Sequence, residues 1–180
     1  MASQSMVMQR LISWVGAPEV DWDAAYAEQL PRVYNFFRYR VGPAEAEDLT
    51  SRTFEKAWVA RDRYRRDLGR FSTWVMAIAR RLAIDHFRSR RSHLPLEAGL
   101  DVASGPSPED LAERRSDAAR LARMLEKLGD RERDLVALKY GAGMTNRDIA
   151  KMMGLSESNV GTILHRTVQQ LREGWDQRGG

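Results

Sequence analysis

Apolar residues recur at three- and four-residue steps along most of this chain, which predicts α-helices, and no segment alternates as a β-strand would. A first helix is predicted from about Asp23, with Pro31 marking either a kink or a later start and Gly42-Pro43 ending it. A second helix is predicted over residues 44–60. The side chains that its period turns inward are Leu49, Phe54, Ala57 and Trp58.

Arginine dominates the segment that follows. Residues 61–91 contain ten arginines and three aspartates, so ten minus three gives +7, which exceeds the net charge of +4 for the whole chain. A loop over residues 61–70 precedes a helix that Ser72 can cap and in which Asp85 can brace two arginines. The apolar stripe of this helix is Trp74, Ile78 and Leu82, and its basic sector is Arg80, Arg81, Arg88 and Arg91. Because so much like charge is repulsive without an anion, the sector predicts a surface that faces phosphate.

A break in periodicity separates this part of the chain from two further helical segments. Ser107-Pro108 has the order of a helix start, the next helix runs to Gly129, and another begins at Asp130. Leu135, Leu138 and Tyr140 are predicted to face inward on that last helix, up to a turn over residues 141–143. The predicted fold is therefore all-α, with two small helical domains on a flexible linker. The predicted parts are an N-terminal tail (1–21), a first domain (22–91), the linker (92–107) and a second domain (108–176).

The stretch from Thr145 to Arg172 has the spacing of a helix-turn-helix. The small Ala150 lets two helices cross closely, and Gly154 supplies the positive φ of the turn. Thr145 is placed to cap the first helix, and Ser156 or Ser158 the second. The polar positions left facing outward on the second helix are Ser158, Asn159, Gly161, Thr162, His165 and Arg166. Such a face suits a recognition helix in the major groove, and the alternative is an ordinary helical hairpin with a solvated face.

Composition limits the function classes. The chain has no cysteine, which excludes disulfides and zinc fingers, and its three histidines form no metal-ligand pair. No cofactor or metal is expected, although Glu45, Glu47 and Asp48 could in principle hold a cation instead of forming a solvated or protein-binding face. No apolar run approaches the ~20 residues that span a bilayer, and the N-terminus lacks the order of a signal peptide. We expect a cytoplasmic protein that does not insert into membranes.

Two motifs in order resemble the extracytoplasmic-function sigma factors of bacterial RNA polymerase, in the sigma-70 family. The first runs from Glu47-Asp48-Leu49-Thr50 through Phe54 and Trp58 to Phe71-Ser72-Thr73-Trp74 and the arginine helix. The second runs from Leu128 through Arg131-Glu132-Arg133 and the helix-turn-helix. The resemblance implies sigma regions 2 and 4, which bind core RNA polymerase and promoter DNA, with an anti-sigma factor as a further partner typical of the group.

The resemblance also implies roles for particular residues. Those that would bind core polymerase are Glu47, Asp48, Ser51, Arg52, Glu55 and Trp58. Those that would hold the −10 element as a single strand are Arg63, Arg65, Arg66, Arg70, Trp74, Arg80, Arg81 and Arg88, although Trp74 also fits a core position. Those that would bind the −35 element as duplex are Arg147, Ser156, Ser158, Asn159, Gly161, Thr162, His165 and Arg166. The 15 residues from Ser92 to Pro106 reach at most ~50 Å when fully extended. Together with the widths of the two domains, that reach allows the two units to touch sites about two duplex turns apart.

The chain departs from the family pattern at three of these positions. Arg81 stands where Asn is frequent, Ser51 where Gln is usual, and Gly161 near a common basic position. Two rival functions are weighed against the sigma factor. A dimeric helix-turn-helix repressor would bind bare duplex DNA without polymerase, and a nucleic-acid enzyme would use the acidic trio with a divalent cation.

Overall fold

The computed structural model describes residues 20–91 and 108–176, with side chains except at 91 and 108–116. All regular elements of this part are helical, and it contains no strand. Most of the predicted tail, the linker and the predicted cap Ser107 lie outside the described residues. The helices are α1 (Trp22–Arg40), α2 (Pro43–Val59), α3 (Phe71–Arg91), α4 (Pro108–Glu126), α5 (Asp130–Val136), α6 (Asn146–Met153) and α7 (Glu157–Asp176). A 3₁₀ turn (Arg61–Arg63) and a π-helical turn (Ala137–Gly141) complete them.

Helices α1 to α3 pack into the first unit. Asp21 caps α1 by accepting a hydrogen bond of 3.0 Å from the Ala24 N–H. The helix then continues through Pro31, so a later start at the proline is wrong. Pro43 occupies the first turn of α2, where a missing N–H is tolerated. The fully buried side chains of this unit include Val33, Phe36, Phe37, Leu49, Val75 and Met76.

Three details of the predicted elements are corrected. Trp58 is 54% exposed and Tyr140 is 53% exposed, so neither faces inward. A helical period identifies a face, but it does not show whether another element covers that face. Ser72 lies within the first turn of α3 and does not precede it, because the helix begins at Phe71.

Helices α4 to α7 form the second unit, which ends in the predicted helix-turn-helix. The Thr145 hydroxyl caps α6 by accepting from the Asp148 N–H at 3.1 Å, and Ser156 accepts from the Asn159 N–H at the start of α7. Between these helices Gly154 has φ +67°, in the left-handed region that favours glycine. The small Ala150 is buried, as a close helix crossing requires.

The two units pack against each other, an arrangement that the sequence did not predict. The π-helical turn lies on α1, and Gly141 is so close that an added Cβ would lie 2.8 Å from the Asn35 carbonyl oxygen. Arg32 donates from Nε to the Ala142 carbonyl at 2.8 Å and from Nη2 to the Gly143 carbonyl at 3.2 Å. Side-chain to backbone hydrogen bonds of this kind fix the register between the units.

Candidate nucleic-acid interface

The outward face of α7 is available for binding. Val160 and Leu164 bury its inner face against the rest of the unit. The predicted reading positions Ser158, Asn159, Thr162, His165 and Arg166 are exposed, and Gly161 is half-buried. On this face Thr162 donates its hydroxyl hydrogen to the Ser158 carbonyl at 3.0 Å. The remaining donors and acceptors on this face, above all the Arg166 guanidinium, are exposed and can form hydrogen bonds with base edges or phosphates.

Arg147 and Ser156 differ from the other predicted −35 positions in having local partners. The exposed Arg147 guanidinium lies 3.7 Å from the Glu157 carboxylate, across the turn of the motif. Ser156 uses its hydroxyl oxygen as the cap of α7. An exposed ion pair at this distance is worth ~0–1 kcal/mol, so DNA phosphate can replace Glu157 as the partner of Arg147.

The arginine loop and the start of α3 surround an aromatic cluster formed by Trp22, Trp58, Tyr64, Phe71 and Trp74. Trp22 makes edge contacts with Trp58, Phe71 and Trp74, at ring-centroid distances of 5.8, 5.3 and 6.3 Å. Tyr64 adds contacts of 5.6 Å to Phe71 and 5.1 Å to Trp74. Trp74 is half-buried within this cluster, so it is a packed residue with one accessible part. Sequence reasoning missed Trp22 and Tyr64, since only the fold brings the three segments together.

Basic side chains of the loop lie exposed around that cluster. Arg63, Arg65, Arg66 and Arg70 are all exposed. Tyr64, Arg66, Arg70 and Phe71 contribute to a groove of 670 Å³ between the loop and the start of α1. The groove therefore combines aromatic faces with guanidinium groups, the combination that binds single-stranded nucleic acid.

Two pKa shifts belong to this loop. Burial raises the pKa of the Tyr64 hydroxyl, and the positive charge of Arg66 partly opposes that rise. The hydrogen bond to the Asp67 carboxylate raises the pKa of Arg65, and the charge of Asp67 adds to the effect. Arg65 and Asp67 form a bidentate pair, with Nε–Oδ1 and Nη2–Oδ2 distances of 2.9 and 2.8 Å. At neutral pH the loop thus presents a neutral phenol among cationic arginines.

The basic sector of α3 divides into two environments. Arg81 is 78% exposed and lies 3.6 Å from the Asp85 carboxylate, as the four-residue spacing predicted. Arg88 is exposed on the same helix. Arg80 is 26% exposed, and its Nε donates to Oδ2 of Asp134 in the second unit at 2.9 Å. The structure therefore leaves Arg81 and Arg88 at the surface and turns Arg80 toward the other unit.

One face of α2 carries the residues predicted to bind a protein. Glu47, Asp48, Ser51, Arg52, Glu55 and Trp58 are all exposed and recur at one-, three- and four-residue steps. Asp48 and Arg52 form a weak ion pair, with 3.4 Å between Oδ2 of Asp48 and Nη1 of Arg52. The Trp58 ring lies under the Arg61 guanidinium at 4.6 Å from its centroid, which links this face to the arginine loop.

Neither a metal cluster nor a membrane-spanning helix is present in residues 20–91 and 108–176. No group of three or more histidine or carboxylate side chains in that part could hold a metal ion. None of its helices combines the length and apolarity needed to cross a membrane.

Two family models match this chain. Sigma-70 region 2 matches residues 25–93 and Sigma-70 region 4 matches residues 118–171, together more than half of the chain. The first match contains the α2 face, the arginine loop and most of α3, and the second contains the helix-turn-helix.

Similar proteins carry the same family name. The chain is 33% identical to the ECF RNA polymerase sigma factor BldN of Streptomyces coelicolor, with 94% of this chain and 66% of that protein covered. It is 31% identical to the ECF RNA polymerase sigma factor SigW of Bacillus subtilis, with 72% of this chain and 74% of that protein covered. The fold is shared with the sigma factor RpoE of Bartonella quintana, whose structure was solved in complex with the anti-sigma factor NepR. The TM-score is 0.65 at 20% identity, and the match covers 85% of this chain and 95% of that chain. The chain belongs to the sigma-70 family of RNA polymerase sigma factors, in its extracytoplasmic-function group.

Proposed function

We propose that this chain binds core RNA polymerase, directs it to promoters by recognising their −35 and −10 elements, and promotes strand opening. Residues 22–91 act as region 2 and residues 108–176 as region 4 in this proposal. The observation that carries it is that one chain of this family presents three separate exposed surfaces with different chemistry. They are the mixed-charge α2 face, the arginine loop with its aromatic cluster, and the polar face of α7.

The α2 face is the proposed contact with core polymerase. Its charged side chains are exposed and project from a helix whose opposite side is buried through Leu49 and Ala57. A rigid helix with alternating charges and an exposed tryptophan suits a protein partner, because aromatic residues are enriched at the centres of protein interfaces.

The arginine loop and α3 are the proposed binding surface for the non-template strand of the −10 element. Unstacking bases costs a few kcal/mol, and phosphate neutralisation with contacts to aromatic rings can offset that cost. Strand opening then results from preferential binding of one strand, with no hydrolysis by this chain. The exposed arginines Arg63, Arg66, Arg70 and Arg81 supply the neutralising charge.

The α7 face is the proposed reader of the −35 element in duplex form. Its N-terminal residues Ser158 and Asn159 and the later Arg166 are exposed, as base-edge contacts by a recognition helix require. An anti-sigma factor is a proposed further partner, by analogy with the complex that the similar Bartonella quintana protein forms with NepR. Because core RNA polymerase acts in the bacterial cytoplasm, the proposed function implies a cytoplasmic location.

The decisive experiment is transcription in vitro with purified core polymerase over a genomic library, with the start sites read by sequencing. We expect start sites that share paired −35 and −10 sequences and that appear only when the chain is added. Absence of any complex with core enzyme, together with a shift of bare palindromic duplex by the chain alone, would contradict the proposal and favour a repressor.

A further inference from the structure

Gly161 lies at the edge of the proposed reading face of α7. Four positions share one side of this helix because they recur at three- and four-residue steps: Ser158, Gly161, Thr162 and His165. Three of the four are exposed, and Gly161 is half-buried on the flank that faces α6. Because glycine has no side chain, this flank of the helix contains a notch beside its polar neighbours.

The floor of the notch is the side chain of Asn146, the first residue of α6. A Cβ added to Gly161 would lie 3.6 Å from Nδ2 of Asn146, at ordinary van der Waals distance. Asn146 is half-buried, and its Oδ1 is buried without a hydrogen-bond partner among the residues that the structure describes. The cap of α6 is Thr145, so Asn146 is not needed for that role. A buried acceptor without a partner weakens the fold, and a contact with a ligand accounts for this amide better than a structural role.

The polar side chains around the notch have partners of their own. Thr162 donates its hydroxyl hydrogen to the Ser158 carbonyl at 3.0 Å. Arg147, which follows Asn146, lies 3.7 Å from the Glu157 carboxylate. At position 161 the recognition helix itself offers no side chain to a base edge, and the donor that adjoins the notch is Nδ2 of Asn146.

We propose that Asn146 is a specificity-determining residue of the −35 reader, and that Gly161 leaves the space through which its amide contacts a base edge. This inference rests on the proposed function. Nδ2 carries two hydrogens, and the major-groove edge of guanine presents two acceptors, N7 and O6. The preferred base at this position is therefore guanine. A methyl group at position 161 would occupy the notch and keep the base away from the amide.

Gly161→Ala is the first test, because it should move stability and recognition in opposite directions. The added methyl group fits without collision and alanine favours a helix over glycine, so the thermal midpoint of the chain should rise by about 2–4 °C. The same methyl group fills the notch, so the preference of the polymerase complex at one −35 base pair should fall about fivefold or more. Competition among −35 duplexes with single base changes measures that preference.

Replacing Asn146 should affect the same base pair. Asn146→Ala should lower the same preference, and the double variant should lose no more than either single variant, because both changes break one contact. Asn146→Asp keeps the shape of the side chain and replaces the donor with an acceptor. The preferred base should then change from guanine to cytosine, whose N4 donates. Gly161→Ala decides the result if the Asn146 variants do not fold.

The matched control is Gln170→Ala. It removes an exposed amide from the same helix about two and a half turns after Gly161, and so from its other side. This variant should leave the preference at every −35 base pair unchanged.

The inference is overturned if Gly161→Ala leaves every base preference unchanged, or if its effect and that of Asn146→Ala simply add. A uniform loss over all duplexes with a smaller salt slope also overturns it, because that result marks a phosphate contact. If the wild-type polymerase complex shows no −35 preference, the proposed function is contradicted and this inference with it. If the wild-type preference is present and the variants retain it, only this inference is contradicted.

Discussion

Arg80 Nε lies 2.9 Å from Oδ2 of Asp134, 54 positions later in the chain. Neighbouring Arg81, one position along the same helix, is 78% exposed and forms a weak ion pair with Asp85 at 3.6 Å. Two adjacent arginines on the basic sector of α3 are therefore in different states before any nucleic acid binds. Arg81 can bind a phosphate directly, whereas Arg80 must first break its ion pair with the Asp134 carboxylate.

This difference predicts unequal effects of replacing the two arginines in the isolated chain. Arg81→Gln should weaken binding of a single-stranded −10 oligonucleotide and lower the salt slope by about 0.7, the value for one phosphate contact. Arg80→Gln should weaken binding less, because Arg80 is 26% exposed and already paired with Asp134 in the isolated chain. Fluorescence anisotropy with a labelled oligonucleotide over a salt series measures both. A larger loss for Arg80→Gln would show that Asp134 does not restrain this side chain.

The exposed Arg166 predicts a specific loss in duplex recognition. Arg166→Ala should weaken binding of the polymerase complex to its −35 element by ~1–3 kcal/mol and relax the preference at one base pair. Competition among duplexes with single base changes measures the preference. Arg123→Ala, an exposed arginine on α4, removes the same charge from the same unit and serves as the control. An unchanged preference would mean that Arg166 contacts phosphate or nothing.

Charge reversal on the α2 face should reduce binding to core polymerase and spare the fold. Asp48 is exposed, and its pair with Arg52 at 3.4 Å is worth less than ~1 kcal/mol. Asp48→Lys should therefore lower affinity for core enzyme while the thermal midpoint changes little. Asp85→Lys is a matched control, since it reverses an exposed carboxylate with the same four-residue pairing on α3. Equal losses from both variants would point to net charge and not to the α2 face.

Local signals predicted the helices and the helix-turn-helix. Thr145 and Ser156 cap their helices through neighbours three residues away, and Gly154 takes the left-handed conformation that the turn requires. Contacts between distant positions left no such signal. Arg40 and Asp134 are 94 positions apart, and the sequence around either residue contains no pattern that predicts their contact.

The same limit explains why the surroundings of the arginine loop were only partly predicted. Its basic residues were identified from composition, but the aromatic cluster joins Trp22, Tyr64 and Trp74 from separate segments. Gly141 resembled an ordinary turn glycine in the sequence, whereas its role depends on the backbone of Asn35 across the interface. Periodicity specifies a face, and only the assembled fold specifies what covers it.

His86 gives a prediction about pH and stability. It is half-buried on α3, and its Nε2 has no hydrogen-bond partner among the residues that the structure describes. Its ring makes an edge contact of 5.6 Å with Phe87. Burial lowers its pKa from 6.5, the positive charges of Arg90 and Arg52 add to this effect, and Glu45 and Asp48 oppose it. The folded chain therefore favours the neutral imidazole, while the unfolded chain takes up a proton at the ordinary pKa.

The free energy of unfolding should consequently fall as the pH drops below 6.5 and through the lower pKa of the folded protein. Above 6.5 the contribution of His86 is fully present, because both states are then neutral at this ring. Urea unfolding at pH 8 and pH 5.5 measures the change, and His86→Gln, which cannot titrate, should reduce it. An NMR titration of the ring that gives a midpoint at or above 6.5 in the folded chain would contradict this account.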